Sequence, residues 1–188
     1  MNEIEEQLRQ LVPAAAAGDR RAEHTLLTLI QPMVLRYARA RIGGGRHPTA
    51  EDVTQEVSLA VVRALPSYVD RGLPFMAFVY GIASNKVADA HRALARDIST
   101  PVEEVPQHQV DINTPESYAL DADGSNRARA LLDELGDKAR EIIILRVFVG
   151  LSAEETAEIV GSTAGAVRVA QHRALATLRK KLEGQDLP

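Results

Sequence analysis

The 188-residue chain is 45% apolar and 26% charged, with a formal net charge of −4. Cysteine and tryptophan are both absent, which excludes disulfides and thiolate zinc sites and leaves Ala, Leu, Val and Ile to fill a core, as in helix bundles. No apolar run approaches the length of a membrane span, and residues 1–9 are acidic and polar, unlike a signal peptide. A cytoplasmic protein with no direct membrane insertion is expected, folded as one domain or two small ones.

The first helix is predicted from about Asp19 to Ile42. Its apolar stripe is Ala22, Leu26, Leu29, Ile30, Met33, Val34, Tyr37 and Ala38. Pro32 is expected to kink it and Gly43-Gly44-Gly45 to stop it. A second helix is predicted from Thr49 to Pro66, with Val53, Val57, Ala60, Val61, Ala64 and Leu65 inward. A loop follows over Ser67–Pro74 and contains Asp70-Arg71-Gly72. A third helix is predicted from Phe75 to about Arg92, burying Phe75, Phe78, Val79, Ile82, Ala83 and Val87.

Two polar groups stand beside these stripes. Asp52, Gln55 and Glu56 lie within one helical turn of each other. The helix dipole accounts for an acid such as Asp52 in the first turn, and for Gln55 and Glu56 less well. Asn85, Lys86, Asp89 and Arg92 share the third helix, where an ordinary solvated amphipathic face explains them.

Between Arg96 and Arg127 there is no Lys or Arg, while Asp97, Glu103, Glu104, Asp111, Glu116, Asp121 and Asp123 are all acidic. Pro101, Pro106 and Pro115 punctuate this stretch. Such composition reads as an extended linker. Basic residues sit on either side. An acidic strap between two basic bodies suggests a protein held on DNA by a larger partner.

The last third carries a helix-turn-helix pattern. Ser152 can cap a helix and Glu155, three residues on, can close the capping box. Ala157 is small where a second helix would cross. Gly161 suits the left-handed conformation that ends a helix, and Ser162 or Thr163 can cap the next one. Val160 and Val167 are placed to pack the pair together. Such a pair puts its second helix in the major groove. From Ser162 to Leu182 the charged residues are Arg168, Arg173, Arg179, Lys180 and Lys181, with no acid. Arg168, Gln171 and His172 could meet base edges or phosphates, and the cations beyond them would suit phosphates.

These motifs together resemble the bacterial RNA polymerase sigma factors of the small, extracytoplasmic-function (ECF) type, in the sigma-70 family. Gly18-Asp19 with Ala22 resembles the start of region 2.1. Asp52-Val53-Thr54-Gln55-Glu56-Val57 is similar to region 2.2. Phe75 to Lys86, continuing to Asp89 and Arg92, resembles regions 2.3 and 2.4. Glu141-Ile142-Ile143-Ile144-Leu145-Arg146, leading into Gly150-Leu151-Ser152, resembles region 4.1, and Thr163 onward resembles region 4.2. Val167 to Leu175 looks most like the actinobacterial sigma-D subgroup.

The resemblance implies an all-α fold of two small helical domains joined by an extended acidic linker. Residues 1–96 would be the sigma-2 domain, 97–124 the linker and 125–188 the sigma-4 domain. Asp52, Gln55 and Glu56 would bind the clamp coiled coil of the polymerase largest subunit. The Asp70–Pro74 loop, with Asp70, Arg71 and Gly72, would take a flipped base of the −10 element, its unstacking cost recovered in the pocket. Asn85, Lys86, His91 and Arg92 would hold the non-template strand. Ser162, Thr163, Arg168, Gln171, His172 and Arg173 would read the −35 element. The strap would run through the active-site cleft and RNA exit channel until RNA displaces it. Implied partners are core RNA polymerase (clamp and flap), promoter DNA and an anti-sigma factor. No cofactor, metal or catalytic residue is implied.

Three positions depart from the family pattern. Ala170 and Leu175 are apolar where many members carry basic residues, and Phe78 replaces the usual Trp of region 2.3. Three other classes fit less well. A ligand- or phosphate-switched regulator would show strand–helix alternation in its first part. An enzyme would need grouped chemistry, whereas the five His residues are scattered and Gly43-Gly44-Gly45 lacks the Lys-Ser or Lys-Thr of a phosphate loop. A pure adaptor would not need the basic second helix.

Overall fold

The computed structural model describes residues 2–42, 48–98 and 130–185. Among them every regular element is helical and none is a strand. The chain divides into two compact units, Met1–Val102 and Glu103–Pro188.

The first unit has four helices: α1 (Asn2–Ala16), α2 (Arg20–Arg41), α3 (Ala50–Ala64) and α4 (Phe75–Ile98). Sequence periodicity anticipated α2, α3 and the start of α4. It did not anticipate α1, although Ile4, Leu8, Leu11, Val12 and Ala15 have helical spacing and Leu8, Val12 and Ala15 are buried. Gly18 at φ +90° ends the α1 turn, and Asp19 caps α2 by accepting from the N–H groups of Arg21 (2.8 Å) and Ala22 (3.2 Å). The α2 helix runs through Pro32 and ends at Arg41, with Ile42 as its cap. The glycine run at 43–45 lies outside the described residues.

The α2 helix touches α1, α3 and α4, and the core lies among these faces. Leu26, Ile30, Val34, Val57, Val61, Val79 and Val87 are fully buried. Each such side chain contributes roughly 1.5–3 kcal/mol through lost water contact. Tyr37 and Tyr80 pack at 5.4 Å between ring centroids, and burial pushes the Tyr80 phenol up to about 12. A 3₁₀ turn, Leu65–Ser67, closes α3. The α4 helix continues past the predicted Arg92 to Ile98. The acidic segment predicted at 97–124 thus starts inside a helix, and beyond residue 98 it lies outside the described residues.

The second unit has α5 (Asp137–Ile143), a π-helical segment (Ile144–Val149), α6 (Ala153–Val160) and α7 (Ala164–Gln185). A helical turn at 130–133 precedes them. Ile142, Ala153, Ala157 and Val167 form a buried cluster, and Val160, Ala164 and Ala170 pack against it. Arg140 ties the start of this unit together: its guanidinium donates to the carbonyls of Leu132 (2.9 Å) and Asp133 (3.1 Å). Those oxygens lie at the end of the 130–133 turn, and the Leu132 carbonyl also accepts from the Leu135 N–H at 3.0 Å.

Candidate nucleic-acid interface

The helix pair α6–α7 forms through local chemistry. Ser152 Oγ accepts from the Glu155 N–H at 3.1 Å, and the Glu155 carboxylate accepts from the Ser152 N–H at 2.6 Å. This closed capping box satisfies two orphan donors at the start of α6. Gly161 ends α6 at φ +57°, and Ser162 N–H returns to the Ala157 carbonyl at 2.9 Å. Of the two candidate caps for α7, Thr163 does the capping: its Oγ1 accepts from the Ala166 N–H at 3.2 Å. Ala157 and Val167 meet in the core, which holds the two helices in close contact.

The candidate readers on α7 differ in environment. Thr163, Arg168, His172 and Arg173 are exposed, while Ser162 and Gln171 are half-buried. Arg168 pairs with Glu154 in the first turn of α6. Glu154 is held below the usual carboxylate range, first by its own backbone N–H and then by Arg168. Gln171 Oε1 accepts from Arg146 Nε at 3.0 Å, and the same guanidinium donates to the Leu151 carbonyl. Arg146 therefore ties the π-helical segment to α7, a link that sequence spacing does not reveal. His172 and Arg173 have no ion pair among the described residues. Ala170 is half-buried and packs against the core cluster. Leu175 is 40% exposed.

In the first unit, the candidate residues fall on three surfaces. Asp52 is half-buried and closes a capping box of its own: its carboxylate accepts from the Thr49 N–H and hydroxyl, each at 2.9 Å. Gln55 and Glu56 are exposed on α3, flanking Leu59, which is 57% exposed. Glu56 forms an ion pair with Lys86 of α4 at 3.1 Å. Arg92 pairs with Asp89 one turn back, Asn85 is exposed and His91 is half-buried.

Asp70, Arg71 and Gly72 sit exposed in the loop between α3 and α4. Asp70 folds the loop by accepting from the Gly72 N–H at 2.8 Å, and Gly72 takes φ +75°. Tyr68, Phe75 and Phe78 cluster at the loop base, with centroids 4.9–5.6 Å apart. Glu5 of α1 reaches across to cap α4, accepting from the N–H groups of Phe75 and Met76 (the latter 3.4 Å). A cleft of about 210 Å³ opens here, lined by Glu5, Arg9, Tyr68, Asp70, Leu73 and Phe75 among others. Burial, then the Asp70 and Glu5 carboxylates, raise the Tyr68 phenol above its ordinary value. Glu5 escaped the sequence reading because its partners, Phe75 and Met76, lie about 70 residues away in the chain.

These features define an all-α protein of two units, the second built on a helix-turn-helix of the DNA-binding kind. Residues 26–97 match the family model Sigma-70 region 2, and residues 125–178 match Sigma-70, region 4. The ECF RNA polymerase sigma factor SigD of Mycobacterium tuberculosis is 54% identical over 179 residues, covering 94% of this chain and 84% of that protein. The ECF RNA polymerase sigma factor ShbA of Streptomyces griseus subsp. griseus is 47% identical over 180 residues, covering 92% and 94%. Among solved structures, CnrH, in complex with the cytosolic domain of CnrY, superposes with a TM-score of 0.71 at 26% identity over 95% of this chain and 98% of that one. The sigma factor RpoE of Bartonella quintana, solved with the anti-sigma factor NepR, shares the fold alone: TM-score 0.63, 22% identity, covering 85% and 96%.

The chain belongs to the ECF RNA polymerase sigma factors. It acts in promoter-directed initiation of transcription by RNA polymerase and is not an enzyme. The family resemblance and the all-α expectation are both borne out. Among the described residues no helix is long and apolar enough to cross a membrane.

Proposed function

We propose that the two units divide promoter recognition between them, with residues 1–96 serving core polymerase and the −10 element and residues 125–188 serving the −35 element. The observation that carries this reading is the capped α6–α7 pair, with Arg168, His172 and Arg173 exposed on α7. A helix so presented fits the major groove, with phosphates held by its cations. In the first unit, Gln55 and Glu56 around the exposed Leu59 suit a protein partner: an apolar centre with a polar rim. That partner is the clamp coiled coil of the polymerase largest subunit. Asp52 contributes chiefly by fixing the start of α3, since its carboxylate is already engaged by Thr49.

The loop at Asp70–Pro74, with its adjoining cleft and aromatic base, suits a single flipped −10 base. Asn85, Lys86, His91 and Arg92 then lie along α4 for the non-template strand. Lys86 links the two roles, because its partner in the isolated chain is Glu56. Once Glu56 engages polymerase, Lys86 is released toward phosphate. The acidic linker at 97–124 would occupy polymerase channels, and the flap would meet the second unit. An anti-sigma factor and a cytoplasmic location complete the reading; CnrH, which shares the fold, was itself solved with a cytosolic protein domain.

Footprinting of the reconstituted holoenzyme on a promoter tests this division. Arg173→Ala should lose upstream protection at −35 while core binding and −10 opening on a pre-melted template survive. Equal loss at both elements would contradict separate roles for the two units.

A further inference from the structure

Arg146 and Gln171 make a contact with a consequence for base choice. The guanidinium of Arg146 has only donors. It can therefore hold Gln171 only by the amide oxygen, as it does at 3.0 Å through Nε. The same guanidinium is anchored on the Leu151 carbonyl, at the turn that enters α6. Two hydrogen bonds to two separate elements fix its position, and with it the orientation of the Gln171 amide. The amide nitrogen of Gln171 has no partner among the described residues, nor is it among the buried atoms left unsatisfied. It is therefore not fully buried, and its two N–H groups are left for an acceptor outside the chain.

A glutamine reads adenine by using both ends of its amide, the oxygen accepting from N6 and the nitrogen donating to N7. With one lone pair of the oxygen taken by Arg146 and the amide turned toward it, that pairing is disfavoured. What remains is a pair of donors. Guanine is the base whose major-groove edge offers two neighbouring acceptors, N7 and O6.

We propose that Arg146 is a positioning residue that turns Gln171 into a donor-only reader, so that the −35 base facing Gln171 is selected as guanine over adenine. This rests on the reading of α7 as the −35 helix with Gln171 at a base. Arg146 itself touches no DNA in this scheme. Its effect passes through the orientation of one amide.

The test uses the full-length chain with core polymerase and promoter duplexes randomised across the −35 element, bound duplexes being sequenced after selection. Gln171→Ala should make one position degenerate, and the unsubstituted protein should prefer guanine there over adenine by about tenfold, the scale of one good bidentate contact. Arg146→Met should relax that position toward adenine. Because this change also removes the bond to Leu151, Gln171→Glu serves as a second variant. It retains a partner for Arg146 and replaces the two donors with acceptors, so the position should move to cytosine, whose N4 is a donor.

If Gln171→Ala leaves every position unchanged, Gln171 is a strut and the reading beneath the proposal fails. If one position becomes degenerate but the unsubstituted protein favours adenine there, or Gln171→Glu leaves the preference at guanine, the reading stands and the proposal is overturned.

Discussion

Asp52→Ala separates two roles that sequence alone assigns to one acidic patch. In the structure the Asp52 carboxylate accepts two hydrogen bonds from Thr49, while Thr49 Oγ1 accepts from the Asp52 N–H at 3.1 Å. Removing the carboxylate leaves the Thr49 N–H at the start of α3 without its acceptor. Loss of a helix cap of this kind costs about 1 kcal/mol. For a unit of 60–100 residues that is a fall in Tm of about 4–8 °C. Glu56 is different, because its ion pair with Lys86 is solvent-exposed on the Glu56 side. Exposed pairs contribute roughly 0–1 kcal/mol, so Glu56→Gln should move Tm much less.

Scanning calorimetry of the full chain, with core polymerase affinity measured by fluorescence anisotropy well below Tm, distinguishes the two. Asp52→Ala should lower the transition of the first unit by the stated amount. Glu56→Lys should weaken polymerase binding with that transition nearly unmoved. An unchanged Tm in Asp52→Ala refutes the capping argument, and unchanged polymerase affinity in Glu56→Lys refutes the clamp assignment.

Other outcomes follow from single contacts. Glu154→Gln removes the acid that holds Arg168. It should tighten −35 binding a few-fold at low salt and steepen the salt dependence by about one phosphate equivalent, near 0.9 in log–log slope; an unchanged slope would show that Arg168 makes no phosphate contact. Gly161→Ala places a side chain at φ +57°, which costs roughly 1–2 kcal/mol, and circular dichroism should show the second unit melting earlier. The Arg39–Glu51 pair joins α2 to α3 at 2.8 Å, and its hydrogen bond lowers the Glu51 carboxyl below 4.5. A lowered folded-state value means stability that is present above the ordinary carboxylate range and lost as pH falls through the folded value. Arg39→Gln should therefore cost a few tenths of a kcal/mol at pH 7 and less at pH 3, as read from urea midpoints. An equal cost at both values would mean the pair contributes by packing alone.

The second unit was legible in sequence because its signals are local. Ser152 and Glu155 meet across one helical turn, Gly161 needs only its own backbone freedom, and Ala157 and Val160 meet Val167 of the next helix in one cluster. In the first unit the stripes of α2 and α3 were equally local. What escaped were contacts between residues distant along the chain. Glu5 caps α4 and lines the cleft beside the Asp70 loop, yet no nearby residue announces it. Helix α1 was hidden by its acidic surface, although its apolar spacing was present. Arg146 is separated from Gln171 by 25 positions, including the first helix and turn of the pair, and Arg140 reaches back over a turn to the carbonyls of Leu132 and Asp133. Asp52 illustrates the opposite case: its helix-start role is local, and its carboxylate closes the capping box with Thr49.

The most direct test of the central claim is run-off transcription by core RNA polymerase supplemented with the full-length protein on fragmented genomic DNA from the same organism, with start sites mapped. The account predicts discrete transcripts that share paired elements upstream and vanish when the protein is omitted. No added transcripts, together with no association with core polymerase by gel filtration, would contradict it.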